Sequence, residues 1–197
     1  MKTMTAAVLG LALALAAGPA VALTYEIDTV HSEVGFKVRH MMAGKTSGRF
    51  TKFSGTIEYD AKDPSKWSTK AVIDASSVDT ANEKRDGHLK GEDFFDVVKF
   101  PTLEFVSTGV KGWKNGKGKL MGKLTMHGVS KDVVLDLESN PEADAMGGER
   151  TGFSARTKID RREFGVVWNK TLDKGGIAVG NDVEISLEIE AVVKKEK

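Results

Sequence analysis

The chain contains no cysteine. That excludes disulfides, thiolate metal sites, iron–sulfur clusters and a cysteine nucleophile. Charge of one sign is not in excess either: 29 Lys and Arg against 28 Asp and Glu leave a formal charge of +1. Proteins that grip nucleic acid through its phosphates need a basic face, so that class of partner is set aside. No apolar run reaches the ~20 residues of a membrane-spanning helix. The nucleophile elbow G-x-S-x-G, the Walker loop, H-E-x-x-H and the dinucleotide fingerprint are all missing. The four histidines, His31, His40, His88 and His127, offer no i,i+2 or i,i+4 pair for a metal. No metal or organic cofactor is expected.

What is present is ordinary globular composition, 40% apolar and 29% charged over 197 residues, with 21 glycines that lean toward a turn-rich β protein. Met1–Ala22 reads as an export leader: Lys2, the apolar run Ala6–Ala17, a Gly18-Pro19 break, and the small-x-small site Ala20-Val21-Ala22. Cleavage after Ala22 would start a single mature domain, 23–197, in the periplasm. Loss of Lys2 leaves 28 basic and 28 acidic residues.

Beyond Leu23 the chain alternates with period two, the mark of strands with one wet and one dry face. Val34, Phe36, Val38 and His40 oppose Glu33, Lys37 and Arg39; Phe53, Gly55, Ile57 and Tyr59 oppose Ser54, Thr56 and Glu58. Leu103/Phe105, Leu120–Met126, Val133–Leu137, Phe153–Ile159 and Val183–Ala191 repeat the pattern. With Tyr25–Asp28 and Thr69–Asp74 this makes about nine strands. Asn115-Gly116 fits a type I′ hairpin turn, Asp63-Pro64-Ser65 another turn, and Ser139–Gly148 a polar loop. Only Asp79–Phe95 breaks the rhythm, as a short helix plus a turn. The fold class is all-β and antiparallel. Sandwich and barrel both fit, although small residues on dry faces (Gly55, Gly122, Ala155) suit a barrel bend or room for a ligand.

Four stretches carry a resemblance. They are Asp28-Thr29-Val30-His31-Ser32 through His40; Arg85-Asp86-Gly87-His88-Leu89 through Phe94-Phe95-Asp96 to Pro101; Gly122–Lys131; and Ile159-Asp160-Arg161 with Glu163-Phe164-Gly165. Together they resemble the YceI-like family of periplasmic, lipocalin-like polyisoprenoid-binding proteins. The resemblance implies an extended antiparallel barrel of about eight strands, a helix at one end, and an apolar tunnel. It implies a binder of a long amphiphilic lipid (a polyisoprenoid, an isoprenoid quinone or a prenyl phosphate) and not an enzyme.

On that basis Phe36, Val38, Phe50, Phe53, Phe105, Leu124, Met126, Leu135 and Phe153 are candidates for the tunnel wall, with plain core packing as the alternative. Arg85 and His88, on one helix face with Leu89, would either meet a lipid head-group or tie the helix across the barrel end through Asp86 or Asp160. Asp28, His31 and Arg161 read as structural ties. Phe94, Phe95, Phe100, Phe164 and Trp168 would form a lid or plug, beside a glycine-containing loop at Asp173–Gly176. Transient membrane contact and a homodimer complete the expected partnerships. Two rival readings stand beside the carrier: an enzyme on an apolar substrate using His88 with Arg85 or Asp86, and a stress-related interaction module with a filled barrel.

Overall fold

Period-two alternation obliges each strand to place one face in a common core, and a sheet that closes on itself satisfies every strand edge at once. That is the solution in the computed structural model, which describes residues 22–144, 149–173 and 175–194. Residues 1–21, which hold all but the last residue of the expected export leader, the Gly147-Gly148 pair and Lys195–Lys197 lie outside the described residues.

The chain runs β1 (Leu23–Ile27), β2 (Glu33–His40), β3 (Gly44–Phe50), β4 (Phe53–Tyr59), β5 (Ser68–Asp74) and β6 (Val78–Asp79). Helix α1 (Glu83–Lys90) follows, then β7 (Thr102–Lys114), β8 (Lys117–Met126), β9 (Val129–Asp144), β10 (Glu149–Asp160) and β11 (Val179–Val193). These strands form one sheet, and β11 pairs with β10 on one side and with both β1 and β2 on the other. β1 and β2 lie end to end along β11; β3 and β4 lie end to end along them; β5 and β6 continue the same arrangement. The three broken pairs and the five continuous strands therefore make a closed antiparallel barrel of eight staves, connected up and down.

Each break is a turn built on an aspartate or a short polar loop. Asp28, Asp60, Asp63, Asp74, Asp79 and Asp160 each accept the backbone N–H two residues on. This Asx geometry reverses or kinks a chain without help from tertiary contacts. Ser77 clamps the breaks together: its carbonyl accepts from Thr51 N (3.1 Å) and its hydroxyl from Lys52 N (3.1 Å). The β7–β8 turn is type I′ as expected, with φ of 51° at Asn115 and 76° at Gly116.

Helix α1 begins at Asn82, whose side chain accepts from Arg85 N at 3.0 Å, and places Glu83 and Asp86 in its first turn and His88 and Lys90 in its last, as the helix dipole favours. Its one large apolar side chain, Leu89, packs onto the core.

Two features differ from the sequence reading. Strands β3 and the two-residue β6 add to the expected set; in β3, Lys45-Thr46-Ser47-Gly48-Arg49 shows no apolar alternation, and its dry face is supplied from next door, where the Phe36 ring occupies the space a Cβ at Gly48 would need (2.4 Å). The loop expected at Ser139–Gly148 is a correction: β9 continues as strand to Asp144, pairing with β10 as far as Glu149. Backbone pairing there outweighs the turn-forming residues around Pro141.

Gly122 has the same explanation as Gly48. A Cβ there would lie 2.3 Å from the Phe105 ring and 2.8 Å from the Val106 carbonyl. The gap thus receives a neighbour's ring, and no free volume is left at that point. Gly122→Val should destabilise the barrel by about 1–3 kcal/mol through overpacking, read as a lower urea midpoint. An unchanged midpoint would show that the ring does not sit there.

Candidate functional site

Eight staves leave an interior only just wide enough for side chains to fill or for one small ligand to occupy. Here the inner face does not fill it. Inward residues such as Phe36, Phe53, Ile57, Val183, Ile185 and Ile189 are only half-buried although they point into a closed barrel. They border a cavity of about 250 Å³ that runs from the α1 end to Trp67 and Thr69 at the other. The wall is almost wholly apolar. Its polar side chains are Ser68, Thr69, Thr157 and Arg161. Thr69 Oγ1 donates to the Thr56 carbonyl (2.9 Å) and Thr157 Oγ1 to that of Val134 (2.8 Å), so both hydroxyls are engaged with backbone.

The two ends are closed differently. Away from α1, Tyr25, Tyr59, Trp67, Trp113 and Phe153 form a chain of ring contacts with centroids 4.6–5.9 Å apart. Trp67 Nε1 donates to the Asp60 carbonyl (2.6 Å), fixing the indole as a floor. At the α1 end the sheet itself is split twice. β6 pairs only with β3, leaving α1 and the segment 91–101 to stand between it and β7. β9 and β10 pair from Asp136/Arg156 outward, and nearer the α1 end a Thr157 side-chain bond replaces the ladder. A short 3-10 turn, Arg161–Phe164, packs over that second split.

The sequence-derived site residues divide cleanly. Phe36, Val38, Phe50, Phe53, Phe95, Phe105, Leu124, Met126, Leu135 and Phe153 all stand on the cavity wall. Arg85, His88, Phe164 and Trp168 do not. Phe164 is buried in the packing beneath the 3-10 turn, and Trp168 packs onto the same cluster from outside, with His88 and Phe94 at ring distances of 5.0 and 5.3 Å.

The helix tie has other partners than expected. Arg85 donates from Nε to Thr80 Oγ1 (2.7 Å) and from Nη2 to the Thr80 carbonyl (2.8 Å), while His88 Nε2 lies 2.8 Å from Asp93 Oδ2. Asp86 and Asp160 are already occupied: Asp86 accepts from Thr80, and Asp160 is gripped two-pronged by Arg162. The helix is therefore pinned to its own approach segment and not across the barrel. His88 does not line the barrel cavity, and neither does Arg85 or Asp86, its alternative partners in the enzyme reading.

Residues that sequence reasoning passed over include Val34, Ile73, Leu103, Leu120, Leu137, Val183, Ile185, Leu187 and Ile189, all on the wall. Their signal was visible, since they occupy the same alternating positions as the residues chosen.

The chain matches the YceI-like domain model over residues 25–191. It belongs to the YceI-like family. A UPF0312 protein of Yersinia pestis is 38% identical over 198 residues, covering 98% of both chains, and one of Serratia proteamaculans is 39% identical over 195 residues, covering 95% of this chain and 97% of its own. Among solved structures, a YCEI protein of Campylobacter jejuni superposes with a TM-score of 0.68 at 35% identity, covering 85% of this chain and 96% of its own. BcnA of Burkholderia cenocepacia gives 0.73 at 26%, covering 84% and 99%. A polyisoprenoid binding domain from Saccharophagus degradans gives 0.65 at 15%, covering 87% and 99%, a likeness of fold.

Outside the barrel, Asp28, His31 and Glu190 bring ligand-type atoms within 4.8 Å of one another. The place for a cation is already taken, because Arg150 Nη1 donates to Asp28 Oδ2 (2.9 Å) and to Glu190. His31 Nδ1 lies 2.9 Å from the same Asp28 oxygen. The His31 contact, then the Arg150 guanidinium, hold the Asp28 carboxyl well below the usual carboxylate range. A carboxyl more acidic folded than unfolded stabilises above its unfolded pKa of about 3.9 and loses that contribution as pH falls toward the folded value. Asp28→Asn should thus lower Tm at pH 7 and flatten its decline below pH 4. A Tm–pH curve parallel to wild type would show that the cluster is not coupled to folding.

Proposed function

We propose that this YceI-like protein carries a long-chain amphiphilic lipid of the polyisoprenoid type, taking it up into the barrel for transport or sequestration in the periplasm. The observation that supports the reading most is the half-buried state of inward apolar side chains around an almost wholly apolar cavity inside the barrel. Each methylene moved from water to such a wall contributes about 0.8 kcal/mol. Ten of them give about 8 kcal/mol, the free energy of a micromolar dissociation constant. Membranes offer the same chain a similar gain, so exchange with a bilayer governs occupancy. The polyisoprenoid binding domain that shares this fold lends the lipid class its name.

The periplasmic setting rests on the export leader in the sequence. Contact with a bilayer is supported by the tip of the β2–β3 hairpin. Met41 and Met42 take φ of 49° and 58°, a left-handed pair where Asn-Gly would be unstrained, and are 52% and 56% exposed. Met42 shares a surface groove with Lys37, Arg39, Lys45, Lys158 and Arg162, of which Lys45, Lys158 and Arg162 pair with Glu184, Asp182 and Asp160. An apolar tip in a net-basic collar suits an anionic lipid surface.

Native mass spectrometry of the exported protein, followed by organic extraction, tests the reading. A discrete adduct that releases an intact isoprenoid is expected; a clean apo mass with no uptake of added prenyl lipids would sink it. Leu124→Trp separates a lined cavity from a filled one. It should leave Tm within about 1–2 °C while displacing lipid, whereas overpacking of a filled core would cost about 1–3 kcal/mol.

A further inference from the structure

The cavity stops on a packed layer inside the barrel. Its wall residues at the end away from α1 include Ile27, Ile57, Leu120, Leu137, Phe153 and Ile189, together with Trp67. The next inward positions on four of these strands, Tyr25, Tyr59, Thr151 and Ala191, are buried and lie off the wall. Tyr25, Thr151 and Ala191 are at most 1% exposed. Beside Trp67 the β5–β7 ladder ends at Lys70/Val106, and a Thr69 N–H to Ser107 Oγ bond (2.8 Å) with the Trp67–Trp113 contact closes the gap.

Trp67 is the one floor ring that no strand carries. It follows the 3-10 turn Pro64–Lys66, and of the five floor rings only it and Phe153 border the cavity. The indole is fixed by its bond to the Asp60 carbonyl (2.6 Å) and backed by Tyr59 and Trp113 at 4.7 and 4.6 Å. Filling a core needs only apolar volume of about the right size. A ring held in one place by a hydrogen bond and by neighbours behind it makes a firm end to the space in front.

That space has a definite length. From Phe153 to Ile159, just before β10 ends at Asp160, the wall runs six residue steps. At about 3.3 Å per step and a tilt of about 35–45° this is about 15 Å along the axis. Carbon–carbon bonds of ~1.5 Å at ~111° advance about 1.25 Å per methylene, so about twelve extended carbons fit. Thr69, Thr157 and Arg161 on the wall are bonded to backbone carbonyls, so a polar head gains no partner there and stays at the α1 end.

We propose that Trp67 is the length stop of the carrier: it meets the terminal methyl of the bound chain, and carbons beyond the enclosed stretch add no affinity. This rests on the carrier reading and adds to it a chain-length selectivity and the residue that sets it. In a polyisoprenoid the enclosed stretch corresponds to about three isoprene units, with any others left at the α1 rim.

Straight-chain alcohols from octanol to octadecanol, each below its solubility limit, test the proposal by titration into delipidated mature protein. In the wild type the affinity should rise about fourfold per methylene and level off near about twelve carbons. In Trp67→Leu the rise should continue, so that the two carbons beyond the wild-type levelling point tighten binding on the order of tenfold. Asp28→Asn, which lowers Tm from outside the barrel, should leave the levelling point where it is, separating loss of the stop from loss of stability. Should Trp67→Leu fail to fold, bromine labelling of dodecanol in Trp168→Phe protein answers instead. Bromine at the chain terminus should quench the Trp67/Trp113 emission, and bromine beside the hydroxyl should not.

A rise that continues to octadecanol in the wild type, a levelling point unmoved in Trp67→Leu, or absent or reversed quenching would each overturn the stop while leaving the carrier intact. Binding of none of the alcohols, together with failure of prenyl lipids, would remove the carrier reading and this inference with it.

Discussion

Everything in this molecule depends on wrapping a strictly alternating sheet until its first and last staves meet. Tyr25 pairs with Val193 and Val34 with Leu187, so the chain ends are joined through β11 and no long strand edge is left bare. Once the ring is closed, period two assigns every second residue to the lumen and leaves the others in water. The outer face then organises itself as cross-strand charge pairs, with Lys117, Lys119 and Lys123 of β8 opposite Glu138, Asp136 and Asp132 of β9. Each pair contributes little energy. As a row they oppose a slip in register, which would set charge against apolar neighbours and turn the apolar face outward.

The lumen is not a uniform tube. At one end five aromatic rings lock against one another, and at the other the packing comes from segments that are not strands at all. Gly48 and Gly122 show how tightly the wall is fitted between these ends, since each yields its place to a phenylalanine from the neighbouring strand. Volume remains only along the axis, where opposing side chains fail to meet. The family assignment and the apolar axis are the two observations on which the carrier reading rests.

Much of this was legible in the residues, because alternation is a direct imprint of a two-faced strand. The nine strands anticipated are all present, and the type I′ turn at Asn115-Gly116 follows from backbone sterics alone. What escaped depends on neighbours that a linear reading cannot pair. β3 is polar in sequence because Phe36 supplies its apolar cover. His88 and Arg85 suggest a site because charge on a short helix draws attention, yet Thr80 and Asp93 claim them. Arg161 reads as a tie, which its bonds to the Gly180, Val166 and Val179 carbonyls bear out.

The two splits at the α1 end give the wall an uneven stiffness. Around the aromatic floor β1, β4, β10 and β11 stay joined by backbone ladders, while the β5–β7 ladder ends at Lys70/Val106 and a Thr69 N–H to Ser107 Oγ bond (2.8 Å) and the Trp67–Trp113 contact close the seam beyond it. Between β9 and β10 near Val134, widening need only separate the Thr157 hydroxyl from a single carbonyl and lift one 3-10 turn. Strain applied to the cylinder will therefore concentrate at these side-chain-bridged seams. Seen mechanically, the protein is a cylinder hooped by backbone ladders, with a compliant seam toward each end.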